Sequence, residues 1–244
     1  MRDDLLGAQA AVDWAVSKLP SFEKRLSGWT NRNINIVLKD TDPPGSDHLV
    51  IAKEKYFLPL QFSVEAGAYL NAIRSSLDVL ASTLSARNGK TGNVEAHFPI
   101  FRSDLHALDP LCGLECIKWL SKSQRSVIKS LEPYPGGNDS LCALHKLDIM
   151  RKHRRLLETK ITPAHITFTG ILPQHVVFPA KIGIGANGET LLAFLSKDAT
   201  AGKIQASFYV AFSEAGHYGD MPVIGALRDF AQTAANIIAL FDAL

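Results

Sequence analysis

The sequence predicts an α+β fold: a mainly helical N-terminal part with a short β-hairpin, followed by an antiparallel sheet and a C-terminal packing helix. Three observations predict it. Apolar residues recur 3 and 4 apart through 3–27 and through 63–89, the spacing of a buried helix face. Beyond Pro163 the chain turns to short strand-like runs, and in "KIQASFYVAF" Ile204, Ala206, Phe208, Val210 and Phe212 share one face. Residues 222–244 are apolar and close the chain as a helix. The expected organisation is 1–160, a helical core with the hairpin, and 161–244, the sheet and closing helix, packed as one unit.

Each element has its own signal. In 3–27, Leu5, Ala8, Val12, Ala15 and Leu19 form the seam, and Pro20 is expected to interrupt or kink it. "NINIVLKD" alternates Ile34, Ile36 and Leu38 and reads as a strand. The turn "DPPGSD" (42–47) then leads into "HLVIAKEKYFLPL", which pairs back as a hairpin. The 63–89 helix carries Leu70, Ile73, Leu77, Leu80 and Leu84, with Ser63 as candidate N-cap and Gly89 as candidate C-cap. Residues 90–110 are irregular, "LCGLECIKWLSKSQRSVIKSL" suggests one or two short helices, and "EPYPGGNDS" breaks the chain. Asn138, Asp139 or Ser140 then caps a helix over 141–158. "AHITFTGI", "HVVFPAKIGIG", "ETLLAFLS" and "KIQASFYVAFSEA" are the later strands, and "GANGE" carries an Asn-Gly hairpin signal.

Composition narrows the function classes. With 46% hydrophobic and 20% charged residues in 244, the chain is ordinary for a globular protein and long enough to close a core. A net charge of +2 is too small to argue for nucleic acid by bulk electrostatics, so any basic site must be local. Three cysteines make no disulfide framework; Cys112 and Cys116 are i, i+4 and no matched second pair follows Cys142. No metal and no cofactor is expected. "MRDDLLGAQAAVDWAV" has two acids directly after its Arg and no long apolar core, and no run approaches the ~18 apolar residues of a membrane helix. A cytoplasmic protein with no membrane partner is the expectation.

The densest charge lies in "LCALHKLDIMRKHRRLLE" (141–158), with five Lys and Arg, two His and one Asp. His145, Asp148 and Lys152 fall within about 60° of one another on a helix, with His153 and Arg154 offset to one side. On the 63–89 helix, Asn71, Arg74 and Asp78 flank the apolar seam, at the edge of the buried face. If the two helices pack antiparallel, these sets meet. Such a group suits phosphate binding through Arg and Lys, with Asn71, Arg74, Asp78, Lys152 and Arg154 as substrate-binding candidates. It also suits acid–base work, with His145, His153 and Asp148 as catalytic candidates, because a His flanked by Asp and Lys can be tuned near neutral pH. The other reading is architectural: cations near a helix C-terminus are favoured by the macrodipole, and "RKHRR" is then a solvated end.

"IRSSLDVLA" (73–81), "FPIF" (98–101), "EPYPGG" (132–137) and "LHKLDIMRKHRRLL" (144–157), in that order, resemble a set of uncharacterised bacterial and phage proteins. Their pattern is an R-x-x-L-D helix, an F-P-I segment, a P-Y turn and L-H-x-L-D-x-x-x-K-H-R. The resemblance covers roughly 60–157, with Glu132 where that family more often has Gln, and implies that Arg74, Asp78, His145, Asp148, Lys152, His153 and Arg154 are its polar signature. It implies no established activity. The helical pair is more loosely similar to HEPN domains, which often act as metal-independent ribonucleases; the Arg and His of that class are separated by about four to six residues, and "RSDLH" (Arg102 to His106) departs from that spacing with three intervening residues. This likeness implies a phosphate-directed activity on RNA or a nucleotide. The alternative is a non-enzymatic module whose charged cluster is a buried salt-bridge network and whose C-terminal sheet serves a protein partner or self-association. A small-molecule pocket is a third reading.

Other candidates read as structure. His97 beside Phe98 is expected to be a packing residue, and Tyr134 a turn aromatic clamping the start of the following helix. "GIGANG" (183–188) lacks the Lys-Ser/Thr of a phosphate loop and is flanked by strands. Ser213, Glu214, His217 and Asp220 lack a nucleophile elbow and read as a loop.

Overall fold

A computed structural model describes residues 1–40, 47–90, 96–102, 115–153, 156–180, 188–199, 202–213 and 221–244. In it the fold is α+β, as expected. The helices are α1 (Leu6–Asn33), α2 (Leu60–Arg87), α3 (Glu115–Trp119), α4 (Lys122–Ser130), α5 (Asp139–His153) and α6 (Val223–Asp242). The strands are β1 (Ile34–Asp40), β2 (Asp47–Glu54), β3 (Thr159–Thr169), β4 (Val176–Val177), β5 (Glu189–Ser196) and β6 (Lys203–Phe212).

The chain divides into two compact units: Met1–Phe22, Gln61–Thr159 and Phe212–Leu244 form one, Glu23–Leu60 and Lys160–Ala211 the other. The first is helical. The seams read from spacing are buried in it: Leu5, Ala8, Val12, Ala15 and Leu19 on α1, and Leu70, Ile73, Leu77, Leu80 and Leu84 on α2. Phe22 of α1 packs edge-on to Tyr69 of α2, their ring centroids 5.4 Å apart. Arg87 closes the far end of α2, with Nε and Nη2 donating to the Asp4 carboxylate at 2.5 and 2.8 Å and Nη1 donating to the Phe241 carbonyl at 3.1 Å. That guanidinium holds the Asp4 carboxyl below its usual pKa. α6 is joined to α5 where the Ser140 hydroxyl meets Asp229 and Thr233, at 2.9 and 3.0 Å.

The second unit holds a four-stranded sheet in the order β1-β2-β5-β4 and a two-stranded one, β3-β6. β1 and β2 pair antiparallel from Ile34↔Glu54 to Asp40↔His48, and β2 pairs antiparallel with β5 across a register shift at Val50/Ile51. Ile34, Val50, Ala52, Ile161, Leu192, Ala193 and Leu195 are its buried core.

Several local expectations change. α1 runs through Pro20 without interruption and continues to Asn33. α2 starts at Leu60, so Ser63 is not its N-cap but a buried residue inside the helix, its hydroxyl 3.3 Å from that of Thr159. Gly89 lies beyond the end of α2 at φ +82°, where its N–H donates to the Ala86 carbonyl. Asn138 is the residue that caps α5, accepting from the Leu141 N–H at 3.0 Å. Leu38, expected on the inner face of β1 with Ile34 and Ile36, is exposed. On β6 the alternation holds from Ile204 to Phe208 and gives way to continuous burial over Val210–Phe212. The turn at 42–46, the Asn-Gly dipeptide at 187 in the predicted hairpin tip, and Arg102–His106 beyond Arg102 lie outside the described residues, as do Cys112, Arg154, Glu214, His217 and Asp220.

Leu77 is fully buried on α2 whereas Val79, two positions on, is exposed. Leu77→Ala is therefore expected to lower the unfolding free energy by about 3 kcal/mol, and Val79→Ala by under about 1 kcal/mol, in urea titrations.

Candidate functional site

α2 and α5 run antiparallel, because Arg74 meets His145 while Asn71, a turn earlier, meets Arg151. The two charged sets therefore do come together, and they resolve into two groups.

The first centres on Arg74, only 4% exposed. Its Nη1 donates to Asp78 Oδ1 at 2.6 Å, its Nη2 to the Phe98 carbonyl at 3.3 Å, and its Nε to His145 Nδ1 at 3.4 Å. Asp78 Oδ1 in turn accepts the Phe98 N–H at 2.9 Å. The ion pair thus satisfies both backbone groups of Phe98, a service a neighbouring β-strand would otherwise provide. The same segment is fixed at its other end, where the Phe101 N–H donates to the Pro133 carbonyl at 2.7 Å. His97, expected to pack, is exposed instead, with its Nδ1 3.6 Å from Asp78 Oδ1. Tyr134 stays in the turn, its hydroxyl 3.3 Å from Glu132 Oε1.

The second group centres on Asp148, also buried. Lys152 Nζ lies 2.6 Å from its Oδ2, and Arg151 Nη2 lies 3.4 Å from its Oδ1 and 2.8 Å from Asn71 Oδ1. Among the described residues Arg151 Nε is the one buried side-chain polar atom without a hydrogen-bond partner. His153 is exposed at the last position of α5. Arg154 lies outside the described residues.

His145 is the hinge between these groups and open space. A nitrogen that faces a guanidinium N–H must carry a lone pair, so the ring is neutral with its proton on Nε2. Burial, reinforced by the positive charge of Arg74, lowers its pKa to about 4. Cys142, one turn earlier, is pushed up to about 11 by burial and by the nearby Asp139 charge, so its thiol stays protonated and is a poor nucleophile. No group of three or more His, Cys, Asp or Glu side chains among the described residues is arranged to hold a metal ion.

Spacing did not single out three contributors. Arg151 sits one turn beyond Asp148, and i, i+3 spacing was the signal that could have found it. Phe98 contributes only backbone, which no side-chain pattern reveals. Gly67 makes room: a Cβ there would lie 2.5 Å from Arg151 Cδ. A glycine inside a helical pattern was its signal.

No family model matches the chain, and comparison with curated proteins and with solved structures gives no match. Nor is any helix among the described residues long and apolar enough to cross a membrane.

Two outcomes follow. In an open helix position Gly67→Ala would gain about 1 kcal/mol, but overpacking against Arg151 opposes it by about 1–3 kcal/mol. The substitution is expected to destabilise the wild type and to stabilise an Arg151→Ala background, a sign change read by a double-mutant cycle. His145 titrates lower in the folded than in the unfolded chain, so its contribution is full above the unfolded pKa, near 6.5, and is lost as pH falls towards about 4. Stability should drop across that window by about 2 kcal/mol, discounted for the partial exposure of the ring, and His145→Gln should flatten the slope.

Proposed function

We propose that this chain is a non-enzymatic interaction module in which the charged cluster is a buried scaffold. The observation that carries this reading is Arg74, 4% exposed, with Nε, Nη1 and Nη2 each donating to a neighbour of the fold. An arginine so committed has little left for a phosphate. Its partner His145 is held neutral near pH 7, and acid–base catalysis of RNA cleavage needs an imidazole that gains and loses its proton near that pH. Asp148 is likewise neutralised by Lys152 and Arg151. What such a scaffold presents to partners is its surface, and the second unit carries Tyr56 and Phe57 at 71% and 88% exposure, with Val177 and Phe178 at 60% and 57%. Self-association or a protein partner through the sheet fits that surface.

A second reading is the phosphate-directed one, HEPN-like cleavage or binding of RNA or a nucleotide. It is favoured by the excess of cations over carboxylates in the last turn of α5, where Arg151, Lys152 and His153 follow one another. His145 or His153 would then be the acid–base group, with Arg74, Lys152 and Arg154 taking phosphate charge.

Incubation with RNA and thermal melting of the same samples decide between them, for wild type, Arg74→Ala, Asp78→Asn, His145→Ala and Lys152→Ala. The expectation is no cleavage by any protein, and a loss of about 3 kcal/mol in Arg74→Ala, where the half-buried Asp78 carboxylate and the Phe98 carbonyl lose their partner. A wild type that cuts RNA, with activity abolished in a His145→Ala variant of unchanged melting temperature, establishes the second reading instead.

A further inference from the structure

The 96–101 segment, the 132–138 turn and α5 enclose an open cavity of about 330 Å³, within the size range of small-ligand sites. Its walls are mostly apolar, with Ile100, Phe101, Pro135 and Ala143 among them. Polar groups enter from α5. With Nδ1 of His145 taken by Arg74, the one ring proton is on Nε2, which meets no partner among the described residues. That nitrogen is not sealed either, since Arg151 Nε is the only buried orphan among them. His145 lines the cavity. Lys146, next along the helix and exposed, also lines the cavity and makes no ion pair among the described residues. At the other end stands Asp139, engaged by the Gly136 N–H at 3.0 Å and about 10 Å along the helix from Lys146.

This arrangement specifies a ligand. A neutral N–H donor beside an ammonium suits one carboxylate, which accepts hydrogen bonds and carries one charge. The apolar walls suit a compact hydrocarbon body, and Asp139 disfavours a second negative charge at the far end. We propose that the cavity binds a small monocarboxylate with an apolar body, its carboxylate accepting from His145 Nε2–H and from Lys146, its body lying on Ile100, Phe101 and Pro135. The proposal goes beyond the scaffold reading and shares with it only the neutral state of His145.

Benzoate, phenylacetate and hexanoate serve as probes, titrated into the full chain and followed by calorimetry and by chemical-shift changes. Saturable binding of at least one is expected, weakened about tenfold by Lys146→Ala, which removes an exposed charge and leaves the core alone. Ile100→Trp, which fills the cavity, is expected to abolish it. Affinity should stay flat between about pH 5 and 8, because the donor is a neutral ring throughout. The proposal is overturned by an absence of saturable binding for all three probes at millimolar concentration. It is equally overturned by binding that both variants leave unchanged, or by affinity that rises tenfold towards pH 5, which would assign the site to an imidazolium. RNA cleavage that survives in His145→Ala would remove the scaffold reading and leave this one standing; no cleavage together with no probe binding does the reverse.

Discussion

The contact on which the first unit depends is the Arg74–Asp78 pair closed over the backbone of Phe98. An irregular segment brings its N–H and C=O groups into the interior with no sheet or helix to receive them, and each unpaired group costs about 1–3 kcal/mol. Here one ion pair takes both groups of Phe98, at 2.9 Å through Asp78 and 3.3 Å through Arg74, while the Phe98 side chain is buried. The Phe101 link to the Pro133 carbonyl carries the same segment to the turn before α5. The guanidinium then reaches α5 itself through His145. Four stretches separated along the chain are thereby held by a short chain of hydrogen bonds, and breaking one partner strands the rest.

His145 has two faces, and they account for its chemistry. Towards α2 it is an acceptor for a buried cation, which fixes its tautomer and lowers its pKa. Away from α2 its ring lines a cavity. A histidine placed between a carboxylate and a lysine in sequence suggests a group tuned near neutrality. The same histidine beside a buried arginine is an uncharged hydrogen-bond donor over the physiological range. Charge density along α5 is in the same way misleading taken alone, because Asp148 is buried and draws Lys152 and Arg151 towards itself. Those cations serve first to neutralise a carboxylate that the interior would otherwise not tolerate.

The second unit rests on a different constraint. The β1–β2 hairpin, laid down early in the chain, finds its third strand in β5, more than a hundred residues later, and β5 then receives β4. A lone hairpin is marginal in water, whereas Val50 and Ala52 of β2 gain Leu192, Ala193 and Leu195 of β5 as buried partners. The expected division of the chain at residue 160 follows a change in local pattern; the compact units are interleaved, with Glu23–Leu60 grouped with Lys160–Ala211.

Sequence alone determined the α+β class, the seams of α1 and α2, the strands β1, β2, β5 and β6, and the two helices on which the polar cluster would meet. These follow from period 3.6 or 2 in apolar residues, a signal each segment carries by itself. Pro20 and Ser63 misled because a proline or a potential cap is a local preference, and the buried faces of α1 and α2 on either side outweigh it. Only the tertiary structure decided that Arg74 is consumed by Phe98 and Asp78, that Gly67 clears a path for Arg151, and that His145 stays neutral. Backbone partners, steric room and desolvation depend on what lies across the gap from a residue, and no spacing along a single chain records that.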